Sequence, residues 1–186
     1  MPARLSDTSD IASPDAMTEL ILRIFRANGR LLLAGDQLVA PLGLTSARWQ
    51  LLGTIVAAER PQPVVRLARD MGVTRQAVQR IANDLEREGV VAFRPNPHHK
   101  RAQLVVLTDR GRELFENALV LQRPWVAGLA EGLTESQVAT ASDALDLLLG
   151  RLDAQRKSPA DMAITPAGND EADEYGSKQL PGPWPF

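Results

Sequence analysis

Apolar residues recur every three or four positions through most of the chain, the spacing that places them on one face of a helix. Capping residues, prolines and glycines interrupt this pattern and predict helices over residues 14–39, 46–58, 64–70, 74–89, 108–132 and 134–156. The first and the last of these helices carry aliphatic stripes. Pro124 lies inside the fifth helix and predicts a kink or a split there, because proline removes a helical hydrogen bond.

The fourth helix has two chemically distinct faces along the segment from Thr74 to Leu85. Its inner face is an apolar stripe formed by Ala77, Val78, Ile81 and Leu85. Its outer face carries amide and guanidinium side chains, those of Gln76, Gln79, Arg80, Asn83 and Arg87. These donors suit base edges and phosphates, whereas an ordinary solvated helix face is a mixture of Glu and Lys. The pattern predicts a DNA-recognition helix, with a plain solvated face as the alternative.

The segments on either side of this helix complete a DNA-binding unit. Residues 71–73 form a short turn in which Gly72 can take a positive φ angle, so the third and fourth helices make a helix-turn-helix. Two β-like runs, residues 90–93 and 103–107, flank a polar loop with a turn at Asn96-Pro97 and predict a β-hairpin wing. The predicted fold class is mainly α with a small β-hairpin wing.

Whether the chain can bind nucleic acid depends more on where its charged residues lie than on its net charge. The chain has 186 residues and a formal net charge of −2, which by itself argues against a nucleic-acid-binding protein. Residues 61–110 nevertheless hold nine Lys and Arg against five Asp and Glu, whereas residues 157–186 hold two against five. The acidic end of the chain therefore masks a basic middle, which contains the predicted helix-turn-helix and wing.

Several other classes of protein and site are not predicted. The chain has no cysteine, so disulfides and zinc-thiolate sites are excluded and a reducing cytoplasm is the expected location. No apolar run approaches the roughly 20 residues that span a bilayer, so no membrane partner is expected. The adjacent His98 and His99 supply too few ligands for a metal site. Without a glycine-rich phosphate loop or a recognisable carboxylate pair, neither an enzyme nor a cofactor is predicted.

The ordered series of motifs resembles the MarR family of winged helix-turn-helix transcriptional regulators. The likeness is carried by Leu44-Thr45, residues 67–74, residues 85–91, the wing at 96–102 and residues 107–111. The resemblance implies a homodimer in which the first and last helices of two subunits intertwine. It also implies binding to a pseudo-palindromic operator in double-stranded DNA, often with release by a small aromatic or phenolic effector ligand.

The resemblance covers residues 15–156, which we predict to be one MarR-type domain. Residues 1–14 are predicted to be a flexible arm, and the acidic, Pro- and Gly-rich residues 157–186 a disordered tail. Within the domain, the resemblance implies a winged helix-turn-helix flanked by N- and C-terminal dimerisation helices. The implied boundaries are a DNA-binding lobe at 44–107 and dimerisation helices at 15–40 and 108–156.

The outer face of the fourth helix supplies the predicted major-groove contacts. Gln and Asn side chains can pair bidentately with adenine, and an Arg side chain with guanine. The residues predicted to enter the groove are Gln76, Gln79, Arg80 and Asn83. The capping residue Thr74 belongs to the predicted contact surface, and Arg75 at the helix start contacts either a base or a phosphate.

The wing supplies a second set of predicted contacts. Arg101 aligns with the arginine that the family inserts into the minor groove, where the negative potential favours a guanidinium. Lys100 and Arg94 are predicted to contact phosphates, with cations that merely solubilise a polar loop as the alternative. His99 stands where the family usually has an aspartate that orients this arginine. One hypothesis is that protonation of His98 and His99 strengthens DNA binding toward about pH 6, and an operator affinity that is flat between about pH 6 and about pH 8 would reject it.

Four aromatic residues are candidates for an effector pocket between the first, second and fifth helices: Phe25, Trp49, Phe115 and Trp125. Arg48 could pair with an anionic ligand there. Each of these residues also has a plainer explanation, since helical aromatics usually pack into a core and a helical arginine is usually exposed.

The sequence therefore predicts a cytoplasmic, ligand-responsive repressor that binds its operator as a homodimer. The alternative is a winged-helix module that binds another protein without reading DNA. A lack of salt-dependent binding to the upstream intergenic DNA would favour that alternative.

Overall fold

The structure, a computed structural model, describes residues 11–99 and 101–156. In these residues it shows six α-helices and a three-stranded antiparallel sheet, which confirms the predicted fold class. The elements are α1 (Pro14–Val39), α2 (Ser46–Ala57), β1 (Gln62–Pro63), α3 (Val64–Asp70), α4 (Arg75–Arg87), β2 (Val91–Arg94), β3 (Leu104–Leu107), α5 (Asp109–Ala130) and α6 (Glu135–Arg156). The predicted tail at 157–186 and most of the predicted arm lie outside the described residues.

The described chain divides into two compact units. The first unit extends to Gln122 and the second begins at Arg123, so the boundary lies inside α5. The helix-turn-helix, the sheet and the first half of α5 all belong to the first unit. The predicted DNA-binding elements are therefore contained in one compact body.

Hydroxyl side chains cap the helices where the sequence predicts caps. The hydroxyl oxygens of Ser13, Thr45 and Thr74 each accept a hydrogen bond from the backbone N–H three residues later, at 3.2, 3.4 and 3.2 Å. Thr134 and Gln137 form a capping box, in which each side chain accepts a hydrogen bond from the backbone N–H of the other residue. These bonds satisfy N–H groups that a first turn leaves without helical partners. The helix starts thus follow from local sequence.

The core of the first unit is aliphatic and is shared by α2, α3, α4, α5 and the sheet. Its fully buried side chains include Leu51, Leu52, Leu67, Leu85, Val78, Val91 and Val105. Phe115 and Ala118 of α5 are buried in the same cluster. Burial of one Leu or Val side chain contributes roughly 1.5–3 kcal/mol. The inner face of α4 is therefore held firmly, and its outer face is left at the surface.

The wing is a β-hairpin extended by a third strand. β2 and β3 pair antiparallel with Val91 opposite Leu107 and Arg94 opposite Leu104, which confirms the predicted hairpin. The first strand of the hairpin begins one residue later than predicted. β1 pairs with the other edge of β3. The sequence did not predict β1, because a two-residue strand ending in proline has no alternating pattern and proline is confined to strand ends and edges.

The helix α5 corrects one prediction. It continues through Pro124 as a single helix, so of the two predicted alternatives, a kink or a split, the split is wrong. A proline in a helix interior leaves the carbonyl four residues earlier, that of Val120, without its N–H partner, at a cost of about 3 kcal/mol. The turns on both sides outweigh this local cost, because propagation of a helix adds a hydrogen bond for every further residue. The boundary between the two units falls in the same turn.

α1 and α6 keep large apolar side chains at the surface of the single chain. Phe25 of α1 and Leu147 of α6 are each 67% exposed, and Leu149 is 50% exposed. Residues two positions apart lie on nearly opposite sides of a helix, so Leu147 and Leu149 show that α6 is apolar on more than one side. Contiguous apolar surface is uncommon on a monomer and usually marks an interaction site.

Candidate nucleic-acid interface

The outer face of α4 forms an open concavity of about 510 Å³. Its lining consists of Arg75, Gln76, Gln79, Arg80, Asn83, Asp84 and Arg87. All four residues predicted to enter the major groove thus share one surface with Arg75. Three arginines and one aspartate give this surface a formal charge of +2 (3 − 1), which suits the phosphates on either side of a groove. The sequence did not identify Asp84 as part of it, although its spacing from Arg87 is helical.

Two contacts along this face orient side chains within the chain itself. Gln79 Nε2 donates a hydrogen bond of 2.8 Å to Asn83 Oδ1, one helical turn away. Asp84 forms an ion pair with Arg87. The amide contact leaves an acceptor on Gln79 and donors on Asn83 for other partners, and adenine offers a matching donor and acceptor in the major groove. The ion pair reduces the positive charge that Arg87 presents to a phosphate.

The helix-turn-helix fixes the beginning of α4. Gly72 adopts a φ of +66°, a left-handed conformation that side chains with a Cβ rarely take, and this turns the chain after α3. The N–H groups of Gly72 and Val73 donate to the carbonyls of Arg69 and Ala68, both at 3.0 Å. Thr74 then caps α4. The predicted turn and cap are confirmed, and the start of the recognition helix is tied to the end of α3.

An ion pair holds the other end of α4. Arg48, in the first turn of α2, donates to both carboxylate oxygens of Glu88, at 3.1 and 2.6 Å. Glu88 directly follows the last residue of α4. Arg48 is therefore engaged within the chain, at the position where the sequence predicted a partner for an anionic ligand. This pair could not be predicted from the sequence, because its members are 40 residues apart and belong to different elements.

The wing residues predicted to contact DNA are exposed where the structure describes them. Arg94 ends β2, and His99 and Arg101 lie in the loop that leads to β3. The Asn96 side chain accepts a hydrogen bond of 3.0 Å from the backbone N–H two residues later, which confirms the predicted turn. Lys100 lies outside the described residues. The hairpin thus presents Arg94 and Arg101 to solvent, and their DNA contacts stay predictions.

The residues predicted to bind an effector have different surroundings. Phe115 is buried in the core, and Trp49 packs against the core while half-buried. Phe25 is exposed on α1. Trp125 is half-buried and belongs to the second unit. Packing in the core explains the positions of Trp49 and Phe115. A ligand-binding role for the predicted effector residues therefore stays a prediction.

Asp70, the last residue of α3, carries a perturbed carboxyl group. Burial raises the pKa of Asp70, and the guanidinium groups of Arg66 and Arg69 oppose the rise. Arg66 Nε lies 3.8 Å from Asp70 Oδ1. Because Asp70 directly precedes the turn into α4, its charge state links solution pH to the stability of the helix-turn-helix.

Two kinds of site are not found in the part of the chain that the structure describes. Residues 11–99 and 101–156 hold no group of three or more His, Asp or Glu side chains that could bind a metal ion. Every helix in the same ranges is too short or too polar to cross a membrane.

Similarity to known proteins identifies the family. A family model for the MarR family matches residues 42–102, which include α2, the helix-turn-helix and the first strand and loop of the wing. The transcriptional activatory protein BadR of Rhodopseudomonas palustris is 30% identical over 158 residues, which cover 82% of this chain and 87% of BadR. The chain belongs to the MarR family. An uncharacterised protein of Mycobacterium tuberculosis, Rv2011c, is 36% identical over 146 residues, covering 76% of this chain and 98% of that protein.

Solved structures agree with this assignment. A cysteine-to-serine mutant of Escherichia coli MarR, complexed with operator DNA, is 30% identical with a TM-score of 0.60 and matches 72% of this chain and 93% of its own. CouR from Rhodococcus jostii RHA1, bound to p-coumaroyl-CoA, has a TM-score of 0.64 over 77% of this chain and 95% of its own. At 21% identity, CouR shows likeness of fold alone. MarR-family members are transcriptional regulators, so the prediction that this chain is not an enzyme is confirmed.

Proposed function

We propose that the chain is a homodimeric transcriptional regulator that recognises a specific operator through the outer face of α4. The observation that carries this proposal is the grouping of arginines and amide side chains on one open surface while the opposite face of α4 is buried. Such side chains can bond bidentately to guanine and to adenine. The E. coli MarR protein that is complexed with operator DNA has the same fold at 30% identity, which supports this mode of docking.

The dimer is proposed from apolar surface on helices near the two ends of the domain. α1 exposes Phe25 and Leu33, and α6 exposes Leu147 and Leu149. A second copy of the chain would remove this surface from water. A two-fold axis would then place two copies of α4 about 34 Å apart, one turn of DNA, and would account for a pseudo-palindromic operator. The proposed dimerisation helices are residues 15–40 and 108–156, and the proposed DNA-binding lobe is 44–107.

The wing is proposed to add sequence-independent contacts. Arg101 would enter the minor groove, where negative potential favours a guanidinium, and Arg94 and Lys100 would contact phosphates. Arg101→Ala should therefore weaken binding to many sequences alike and lower the slope of log affinity against log salt by about one. A loss confined to one base pair would contradict this role.

A small effector is proposed to control DNA binding from a site between α1, α2 and α5, near Trp49. CouR, which shares the fold, is bound to p-coumaroyl-CoA, and this supports an effector of aromatic character. We propose repression by occupation of a promoter, in the cytoplasm where the DNA lies. BadR is named as a transcriptional activatory protein, so repression has to be distinguished from activation. The expression of a reporter gene fused to the regulated promoter should be measured with and without this protein. Higher expression without it supports repression, and lower expression supports activation.

A footprint on the intergenic DNA upstream of the protein's own gene tests the proposed function. We expect a dimer to protect a pseudo-palindromic site, with an affinity that falls steeply as salt rises because phosphate contacts release counterions. Arg80→Ala should weaken this complex by roughly 1–3 kcal/mol, with the loss confined to particular base pairs. Binding to the upstream DNA that is no tighter than binding to a scrambled duplex would contradict the proposal and favour the protein-binding module.

A further inference from the structure

The ion pair between Arg48 and Glu88 is well defined. The two guanidinium nitrogens Nη1 and Nη2 donate to the two carboxylate oxygens at 3.1 and 2.6 Å, the fork arrangement that restrains orientation as well as distance. The side chain of Arg48 is 21% exposed and that of Glu88 is 45% exposed. The pair joins the first turn of α2 to the residue that directly follows α4.

The charges of Arg48 and Glu88 are both unfavourable with respect to the dipoles of the helices at whose ends they lie. The backbone dipoles of a helix favour acidic groups near its N-terminus and basic groups near its C-terminus. Arg48 places a cation in the first turn of α2, and Glu88 places an anion at the C-terminal end of α4. Each charge therefore opposes its own helix dipole, and each is stabilised by the other across the space between the two helices. The contact between helices accounts for both residues.

With the pair between Arg48 and Glu88, α4 is held by contacts at both of its ends. The N-terminal end is fixed by the backbone bonds of the turn at Gly72, which tie it to α3. At the C-terminal end, the chain after Glu88 is also held by Thr108, whose hydroxyl donates to the carbonyl of Gly89 at 2.7 Å. Arg48 approaches the same end from α2. With both ends restrained, the axis of α4 has a defined direction relative to the rest of the first unit.

We propose that Arg48 and Glu88 are positioning residues that set the angle at which α4 enters the major groove, and that the pair contributes to discrimination between DNA sequences. This inference rests on the proposed function. Bidentate bonds to base edges require a helix held to within a fraction of an ångström, whereas contacts between a cation and a phosphate tolerate misalignment. Loss of the pair should therefore weaken specific binding and leave non-specific binding almost unchanged. A partly exposed ion pair contributes little to stability, so the fold should remain intact.

The test compares Arg48→Met, Glu88→Gln and the double variant with the wild type. The dissociation constant is measured for the footprinted operator and for a scrambled duplex of equal length, and the thermal unfolding midpoint is recorded. Each single variant should lower the ratio of specific to non-specific affinity roughly ten-fold, the scale of coupling between directly contacting residues. The double variant should lose no more than the worse single variant, because one contact is lost in all three.

Two control experiments distinguish a positioning role of the pair from a general effect of its charge and from misfolding of the variants. Glu86→Gln removes the same charge from an exposed position on α4 two residues away, and it should leave the ratio unchanged. The exchange of both charges, R48E with E88R, should recover most of the ratio. An added cation near the DNA strengthens specific and non-specific binding alike, so its effect cancels in this ratio.

The outcomes distinguish this inference from the function on which it rests. A wild type that prefers its operator, together with single variants that keep the full ratio, would overturn the positioning role and leave the proposed function intact. A charge exchange that folds normally but discriminates as poorly as the single variants would overturn it as well. A wild type that binds operator and scrambled DNA equally would overturn the proposed function itself.

Discussion

α4 and α6 differ in where their apolar residues lie in the folded chain. In α4 they occupy one side, and Val78 and Leu85 are fully buried. In α6, Leu147 and Leu149 remain exposed. Both helices begin at a threonine cap, so capping does not separate them. The difference is that α4 completes its packing within one chain and keeps only a polar face exposed, whereas α6 leaves large apolar side chains in contact with water.

The buried side of α4 gives the largest expected effect. Leu85→Ala removes a fully buried side chain and leaves a cavity, so the free energy of unfolding should fall by roughly 2–5 kcal/mol. Urea titration followed by circular dichroism measures this loss. Leu147→Ala is the matched control, since it makes the same change at an exposed position of α6 and should destabilise the dissociated chain much less. Equal losses from the two substitutions would contradict the comparison.

Negative charges introduced on the apolar surface of α6 should weaken the association of two copies of the chain. Leu147→Glu combined with Leu149→Glu should raise the dissociation constant of the proposed dimer roughly a hundred-fold, because each side chain buried in such an interface contributes about 1–2 kcal/mol or more. Sedimentation velocity across a range of protein concentrations measures the constant. Ala139→Glu adds a charge at an exposed position on another side of the same helix and serves as the control. A double variant that dimerises like the wild type would place the interface elsewhere.

The polar side of α4 should show coupling between two residues. Gln79→Ala and Asn83→Ala should each cost roughly 1–3 kcal/mol of operator binding at particular base pairs. Because the two side chains are hydrogen-bonded to each other, the double variant should lose less than the sum of the single losses. Binding to a set of base-substituted operators measures all three. Strictly additive losses would show that the two amides act independently.

The smallest expected effect concerns Asp70 and depends on pH. Since burial raises the pKa of Asp70, the folded chain holds this proton more tightly than the unfolded chain between the ordinary and the raised value. The contribution of Asp70 to the stability of the folded chain should therefore fall as the pH rises through that interval and level off above it. Asp70→Asn cannot titrate, so the free energy of unfolding of the wild type relative to this variant should decline over the same interval. Urea titrations from about pH 4 to about pH 7 measure the trend, and a rise with pH would contradict it.

Much of the fold could be predicted because it depends on short-range bonds. Thr74 and Thr134 mark helix starts, since their side chains bond backbone N–H groups three residues away. Gly72 marks the turn, because its left-handed conformation favours glycine. The outer face of α4 could also be predicted from helical spacing, and only Asp84 was missed among its lining residues.

Features that depend on distant partners could not be predicted. β1 forms only because β3 lies beside it, and its two residues carry no pattern of their own. Arg48 and Glu88 meet only after α2 and α4 have packed together. The split predicted at Pro124 was wrong for a related reason, since the rule for proline considers one hydrogen bond and omits the turns that continue the helix on either side.

Gly111, near the start of α5, has no side chain, and this affects how a movement of α5 is transmitted to the rest of the first unit. A Cβ on Gly111 would overlap the carbonyl oxygen of Val90, so backbone lies directly against backbone at this point. Such a contact has no side-chain torsion that could absorb movement, and packed interiors compress little. A shift of α5 toward the sheet would therefore act directly on Val90, the residue that precedes β2. Gly111 thus contributes stiffness, and any side chain there would force α5 away from the base of the wing.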